Sequence, residues 1–401
     1  MIYDGVPMSI AASIDSRLEY LTGLRRQFHQ IPELGYQEIE TAKLIRQELD
    51  RLGIAHVDGV KGAPTATVAW IGDPTKPCVA LRADIDALPI VEQTGLPYAS
   101  RHDGVMHACG HDGHTTILLG VASVLKSIEA ELDVCVKLLW QPAEEGGAGA
   151  EVMCNAGVLD GRIGPKVQAI FGLHGWPGIP LGVVSTRPGP LMAATDYFEA
   201  TFTSHGGHAA FPHLSPDPIA TAATAVLDLQ QVVSRETDPT EPAVVSVTRI
   251  NAGTADNIIP PACTISGTVR TLSGAMRTRA HDAIQRRCEG IASANRCGLE
   301  FQWEDGYPPV INDPQMADYL SRVAQDVFGP GQFLPAARPV MGGEDFAYYL
   351  EHVPGCFCMI GVEPPGAKDY PGLHSDRYDF NDAALPVGIR LLSELAVRYG
   401  R

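Results

Sequence analysis

The chain has 401 residues, 45% hydrophobic and 19% charged, a globular composition too long for one ordinary core, so two or three domains are expected. Thirty basic against 47 acidic side chains leave a formal charge of −17, which argues against nucleic acid or an anionic membrane as partner. No run reaches the roughly 18 apolar residues of a membrane span. The start, MIYDGVPMSIAASIDSRLEY, lacks the basic and sustained apolar regions of a secretory signal. The nine cysteines lack small-domain disulfide spacing and read as reduced thiols in a cytoplasm.

From Ser13 to Leu52, apolar residues recur at helical spacing on both sides of a Pro-Glu-Leu-Gly break at Pro32–Gly35, which predicts two helices. Short apolar runs follow: TATVAWIG, CVALRADID, VCVKLLWQP and AIFGLHG. They alternate with helical stretches such as Thr115–Glu131, so an α/β domain on a largely parallel sheet is expected. From about Gly189 the pattern changes. DYFEATFTSHGGHAAF, SPDPIATAATAVLDLQQVVSRE, AVVSVTRINAG, CTISGTVRTLS, GAMRTRAHDAIQRRCEGIASAN and LEFQWEDGYP read β-α-β-β-α-β, the order of a ferredoxin-like α+β sandwich. PQMADYLSRVAQDVFG, PGCFCMIG and a helix from Ala383 then resume the first pattern. The expected layout is a catalytic α/β domain over 1–189 and 307–401, interrupted by an α+β domain over 190–306.

Ligand-type side chains collect after predicted strands. Cys109 and His111 open the Thr115 helix. Glu144 and Glu145 follow VCVKLLW, His174 follows AIFGL, and His374 lies in YPGLHSDRYDF. Strand-end loops of an open α/β sheet converge over one crevice. Each residue alone has a plain reading: a buried thiol, a packed histidine, a solvated acidic pair, or a turn in the case of Asp84 and Asp86. Together they supply five ligands and a spare carboxylate, the donor set of a two-metal hydrolase. His107 and His114 are expected to pack or to support the ligands.

Several consecutive strings carry a family likeness: RRQFHQIPELGYQE, LRADIDALPIVEQTGLPYAS, MHACGHDGHTT, WQPAEEGGAGA, GLHGWP, SHGGHAAFPH, NAGTADNIIP, GGEDFAYY and GLHSDRYDFND. The chain resembles the two-metal aminoacylase/carboxypeptidase superfamily, in the branch of hippurate hydrolase, N-acyl-amino-acid amidohydrolases and plant auxin-conjugate hydrolases. The resemblance implies a metal-dependent amidohydrolase that cleaves N-acyl amino acids such as hippurate or N-acetyl conjugates with a water held by the metals. It gives Cys109, His111, Glu145, His174 and His374 as ligands of two divalent ions, Glu144 as general base, and Asp86 as the carboxylate that orients a ligand histidine. His208 matches a residue that polarises the scissile carbonyl, in many relatives from a partner subunit, and Asn257 a substrate contact. The wider superfamily has His-x-Asp where this chain has Asp84-x-Asp86, and a bridging Asp where it has Cys109. A thiolate favours softer ions such as zinc, with manganese, cobalt or nickel as further candidates.

Three expectations complete the reading. Arg270, on the inserted-domain strand near Asn257, is a candidate seat for the substrate carboxylate, its alternative being an ordinary surface arginine. GGEDFAYY either approaches the crevice or simply opens a helix. The inserted domain forms a lid and pairs two subunits into a homodimer. The competing functions are a dipeptidase or carboxypeptidase, a metal-dependent binding protein without turnover, and a thiol enzyme using Cys109 as nucleophile.

Overall fold

In the computed structural model, which describes residues 9–400, the N-terminal alternation forms three helices where two were expected. α1 (Ile10–Asp15) is a short turn capped by the Ser9 side chain; α2 (Leu18–His29) follows, and α3 (Ile39–Leu52) begins beyond the Pro32–Gly35 break. The first eight residues, part of the stretch read as lacking an export signal, and Arg401 lie outside the described residues.

β1 (His56–Val60) and β2 (Ala63–Ile71) form a hairpin. β1 is short and partly exposed, so no apolar run announces it. β3 (Cys78–Asp84) and β4 (Cys135–Gln141) are buried at every position, as befits strands covered on both faces. α4 (His111–Ser127) lies between them in sequence; α5 (Gly149–Ala156) and β5 (Val167–Pro180) follow. The chain then builds β6 (Ala194–Thr203), α6 (Pro218–Gln231), β7 (Ala243–Ala252), β8 (Ala262–Thr271), α7 (Gly274–Ala294) and β9 (Gly298–Glu304). It returns through α8 (Pro314–Phe328), β10 (Gly355–Glu363) and α9 (Leu385–Arg398). Several starts obey ordinary capping chemistry: Asp217 and Asp313 accept backbone N–H groups ahead of Pro218 and Pro314, and Ser273 caps α7.

Two units result, one comprising Met1–Gly189, Ile311–Ala337 and Asp345–Arg401, the other Pro190–Val310 and Arg338–Glu344. The second therefore runs a few residues past 306 and takes in a later excursion, whose backbone joins it where Ala193 N–H donates to Gly342 O. The first unit's sheet has the order β1-β2-β4-β3-β5-β10, closed at one edge by the two-residue strand Val184–Ser185. The β4-β3-β5-β10 pairings are parallel and those toward the edges antiparallel. α4 is buried on all sides through Leu125, packing against α2, α9 and β3. It tolerates this because Gly120 lets Ile389 approach: a Cβ there would stand 2.5 Å from Ile389 Cδ1. A buried lysine, Lys137 on β4, donates to the carbonyls of Val158, Ile163 and Pro165, fastening the α5–β5 connection.

The second unit is an antiparallel sheet ordered β7-β8-β6-β9, with its first strand between the third and the fourth. α6 and α7 cover one face around Phe198, Phe202, Ile265 and Ile284, the arrangement expected from the β-α-β-β-α-β order. Among the described residues, no helix is long and apolar enough to cross a membrane.

Candidate metal centre

All the expected ligands, the expected base and Asp86 belong to the first unit, on the loops beyond β3 and β4, at the mouth of α4, on β5 and on the loop before α9. Gly110, at φ 89°, caps α4 and turns the chain so that Cys109 and His111 face one space. His174 sits inside β5, opposite Met359 of β10, not after a strand end as its sequence context suggested. The late loop reaches the centre through the His374 N–H, which donates to Ala108 O at 2.8 Å. His374 itself is left-handed, with φ 64°.

Among the donor groups, two share one thiol, and a third brings His111, Glu144 and Glu145 together. Cys109, His111 and His174 make the first, and Cys109, Glu145 and His374 the second; the atoms within each group lie within 4.8 Å of one another. Cys109 Sγ is 3.3 Å from His174 Nε2, and His374 Nε2 is 3.1 Å from Glu145 Oε1. Tautomers follow from the partners. His174 Nδ1 donates to the Gly175 carbonyl at 2.8 Å, so its Nε2 carries a lone pair. His111 Nδ1 donates to Asp86 Oδ1 at 3.1 Å, and its buried Nε2 has no hydrogen-bond partner. Such an orphaned nitrogen is what a ligand awaiting a cation looks like.

The electrostatics point the same way. Burial pushes the Cys109 thiol well above its ordinary range, and the carboxylates of Glu145, Glu144 and Asp84 push it further. Burial opposes the charged form of His111, but Asp84, Asp86 and Glu145 outweigh it and lift the imidazole to about 10. Burial, with His114 and His111 nearby, drives His174 well below its usual value. A thiol and several carboxylates crowded together out of water need compensating positive charge, and divalent cations supply it.

Supporting contacts fix this geometry. Asp86 Oδ2 accepts the Glu145 N–H at 2.9 Å, so one carboxylate orients His111 and the Glu145 backbone together. His114 donates from Nδ1 to Asp84 at 2.7 Å and accepts the Gly175 N–H on Nε2 at 2.8 Å, pinning the strand beside His174. Asp84 is held in turn by Arg82 at 2.6 Å. Asp345 accepts from Arg82, Gln141 and the Ala150 N–H, while its own N–H donates to Glu144 Oε1 at 3.4 Å. The Asp345 arrangement eluded sequence reasoning: GGEDFAYY drew attention, but nothing in its spacing tied it to Glu144. His107 is buried with neither ring nitrogen bonded to protein.

His208 and Asn257 belong to the second unit. The pairs Gly207–His208 and Ile258–Ile259 form a small ladder, and Ala209 N–H donates to Asn257 O. His208 is exposed; its Nδ1 accepts the Ala210 N–H at 3.1 Å, leaving Nε2 outward. Arg270 does not lie near them. It sits at the other end of β8, eight residues beyond Ala262, or about 26 Å at the strand rise. Its guanidinium bonds to Thr268 Oγ1 and Val269 O and lies 5.4 Å from the Tyr197 ring centre. Adjacency in the motif order misled here, because β8 runs its full length between the two positions.

Residues 80–398 match the model of Peptidase family M20/M25/M40. The chain is 40% identical over 389 residues to IAA-amino acid hydrolase ILR1-like 4 of Arabidopsis thaliana, covering 95% of this chain and 86% of that one. It is 42% identical over 378 residues to N-acetylcysteine deacetylase of Bacillus subtilis, covering 94% and 96%. Among solved structures, a dinuclear metal-binding peptidase of the M20 family from Bacillus subtilis superposes with a TM-score of 0.83 at 39% identity, covering 96% of this chain and 98% of that one. With two groups of metal-type donors meeting at one thiol and relatives matched along nearly its whole length, the chain belongs to the M20/M25/M40 peptidase family, hydrolases of amide bonds that work with two divalent metal ions.

Proposed function

We propose that the protein is an N-acyl-amino-acid amidohydrolase with Cys109, His111, Glu145, His174 and His374 as its metal ligands and Glu144 as its general base. The observation that carries this reading is the division of labour within Glu144–Glu145. Both carboxylates lie within 4.8 Å of a His111 nitrogen, but Glu145 also faces His374 and Cys109, while Glu144 Oε1 accepts the Asp345 N–H at 3.4 Å. Held by the five proposed ligands, two divalent ions would supply Lewis-acid chemistry for water activation and carbonyl polarisation. Glu144 takes the proton of the attacking water and returns it to the leaving amine. His208, with Nδ1 occupied as an acceptor, offers an Nε2 proton to the developing oxyanion, a contribution of about 3–4 kcal/mol. Asn257, tied to the same small ladder, contacts the substrate.

The names of relatives favour acyl conjugates: one is called a hydrolase of IAA-amino acids, another an N-acetylcysteine deacetylase. A dipeptidase or carboxypeptidase is the second reading, favoured by the peptidase name of the solved relative. We place the enzyme in a cytoplasm, where nine unpaired thiols stay reduced. A homodimer through the inserted unit is also proposed. The outer half of edge strand β7 is exposed beside Ile250 and Leu227, an apolar strip suited to a second copy.

The test is a panel of hippurate, N-acetyl amino acids, indole-acetyl amino acids and dipeptides, run on chelated enzyme re-supplied with zinc or manganese. Metal-restored cleavage of the acyl conjugates supports the reading. Preferential cleavage of dipeptides, or full activity in the chelated enzyme, refutes it.

A further inference from the structure

The loop that carries Glu144 and Glu145 is held in an unusual backbone shape. Ala143 and Ala148 both lie in the left-handed region, at φ 55° and 51°, where a side chain is disfavoured. Ala143 has no side chain able to hold itself there, so something else must.

Besides Asp86 and Asp345, this loop meets a segment more than a hundred residues earlier, Glu33–Glu38, between α2 and α3. Glu38 is fully buried; its Oε1 accepts the Ala143 N–H at 2.9 Å and its Oε2 accepts the Thr65 hydroxyl at 2.6 Å. The Tyr36 hydroxyl donates to Gly147 O at 2.6 Å. Gly35 lies against Ala143 so closely that a Cβ there would be 3.0 Å from Ala143 Cα. The segment is itself anchored: Glu33 accepts the N–H groups of Glu40 and Thr41 in the first turn of α3, and the Ala87 N–H donates to Glu33 O beside Asp86. One short segment therefore braces the Asp86 loop and the Glu144–Glu145 loop together.

We propose that Glu38 and Tyr36 are positioning residues for the general base: they clamp the 143–147 turn in its left-handed form and so fix where Glu144 stands beside Glu145. This rests on the reading of Glu144 as base. Neither residue touches the donor groups named above, so their loss misplaces the base without removing a ligand.

The experiment compares E38A, E38Q, Y36F and A143G, plus E38A in the A143G background, each assayed for kcat and KM, metal content and amide exchange of the 142–148 peptide. With metal content unchanged, E38A loses roughly 10- to 100-fold in kcat, with KM within about threefold, because a small misplacement of a reacting group is costly. Its 142–148 peptide exchanges faster, since the Ala143 N–H has lost its acceptor. E38Q stays within about threefold of wild type: its amide oxygen still accepts from Ala143 and its NH2 donates to the Thr65 hydroxyl, which accepts as well as it donates. Y36F falls between, with a loss of roughly three- to tenfold. In A143G the E38A loss shrinks, because glycine takes positive φ unaided. Unchanged kcat and exchange in E38A, E38Q as impaired as E38A, or an E38A loss as large in A143G as in wild type would each overturn the clamp. E144Q serves as the control. If E144Q keeps turnover, the base assignment has failed and the exchange data alone judge the clamp; if E144Q is inactive and E38A normal, only the clamp has failed.

Discussion

Asp86 offers the sharpest test of how the centre is held. Its two oxygens serve two donors, the His111 Nδ1–H at 3.1 Å and the Glu145 N–H at 2.9 Å. In D86N one oxygen becomes an NH2, so one of these donors must face another donor. If His111 faces the NH2, its proton has to move to Nε2, the nitrogen that should bind the ion. If Glu145 faces it, the backbone carrying that proposed ligand shifts. Either way one buried polar group goes unsatisfied, at about 1–3 kcal/mol. Divided by about 1.4 kcal/mol per decade, that is roughly a 5- to 150-fold weakening, in line with the 10- to 100-fold typical of losing a ligand's supporting partner. The assay is competition between the apoprotein and a chromophoric chelator for zinc or manganese. D86N should bind at least one ion 10- to 100-fold more weakly, in that typical range. Wild-type affinity for both ions would refute the reasoning.

Other outcomes follow from the same geometry. E144Q should keep both ions, measured by elemental analysis, and lose turnover by roughly 10²- to 10⁴-fold, the usual share of general-base catalysis. G120A should destabilise the protein by about 1–3 kcal/mol in thermal or denaturant unfolding despite alanine's better helix propensity, because the new methyl overlaps Ile389. Burial opposes charge on His29, but its hydrogen bond to Asp112 at 2.7 Å raises it from 6.5 to about 9. A raised folded value means that this stabilisation is complete below pH 6.5 and is lost as pH climbs through about 9. Unfolding free energy should therefore fall across that window by up to about 3 kcal/mol, and H29Q should flatten the fall.

Much of this was legible in the sequence because the relevant physics is local. Buried strands such as CVALRAD and VCVKLLW are apolar at most positions, and Asp-Pro pairs mark helix starts at Pro218 and Pro314. Cys109, His111 and the Glu144–Glu145 pair stood out because thiol, imidazole and paired carboxylate are costly to bury without a partner. β1 escaped notice since a half-exposed edge strand needs no apolar run. The lengths of β5 and β8 also escaped, which misplaced His174 relative to its strand end and Arg270 relative to Asn257. Hardest to see were the long-range hydrogen bonds. The Glu38–Ala143 contact and the three acceptances of Asp345 join residues with no shared spacing, and an ordinary glutamate or aspartate gives no local sign of such a bond.

The parallel pairing of β10 with β5 has a consequence for how the molecule is made. The two strands lie side by side, yet the whole second unit separates them along the chain. During synthesis β5, with His174 on it, must wait with one edge unpaired until nearly everything else has emerged, and His374 comes later still. Pairing across so long a loop is slow and leaves a strand edge open to the wrong neighbour. Hydrolytic competence is therefore among the last properties a nascent chain acquires, and growing molecules that stall early should aggregate through that edge.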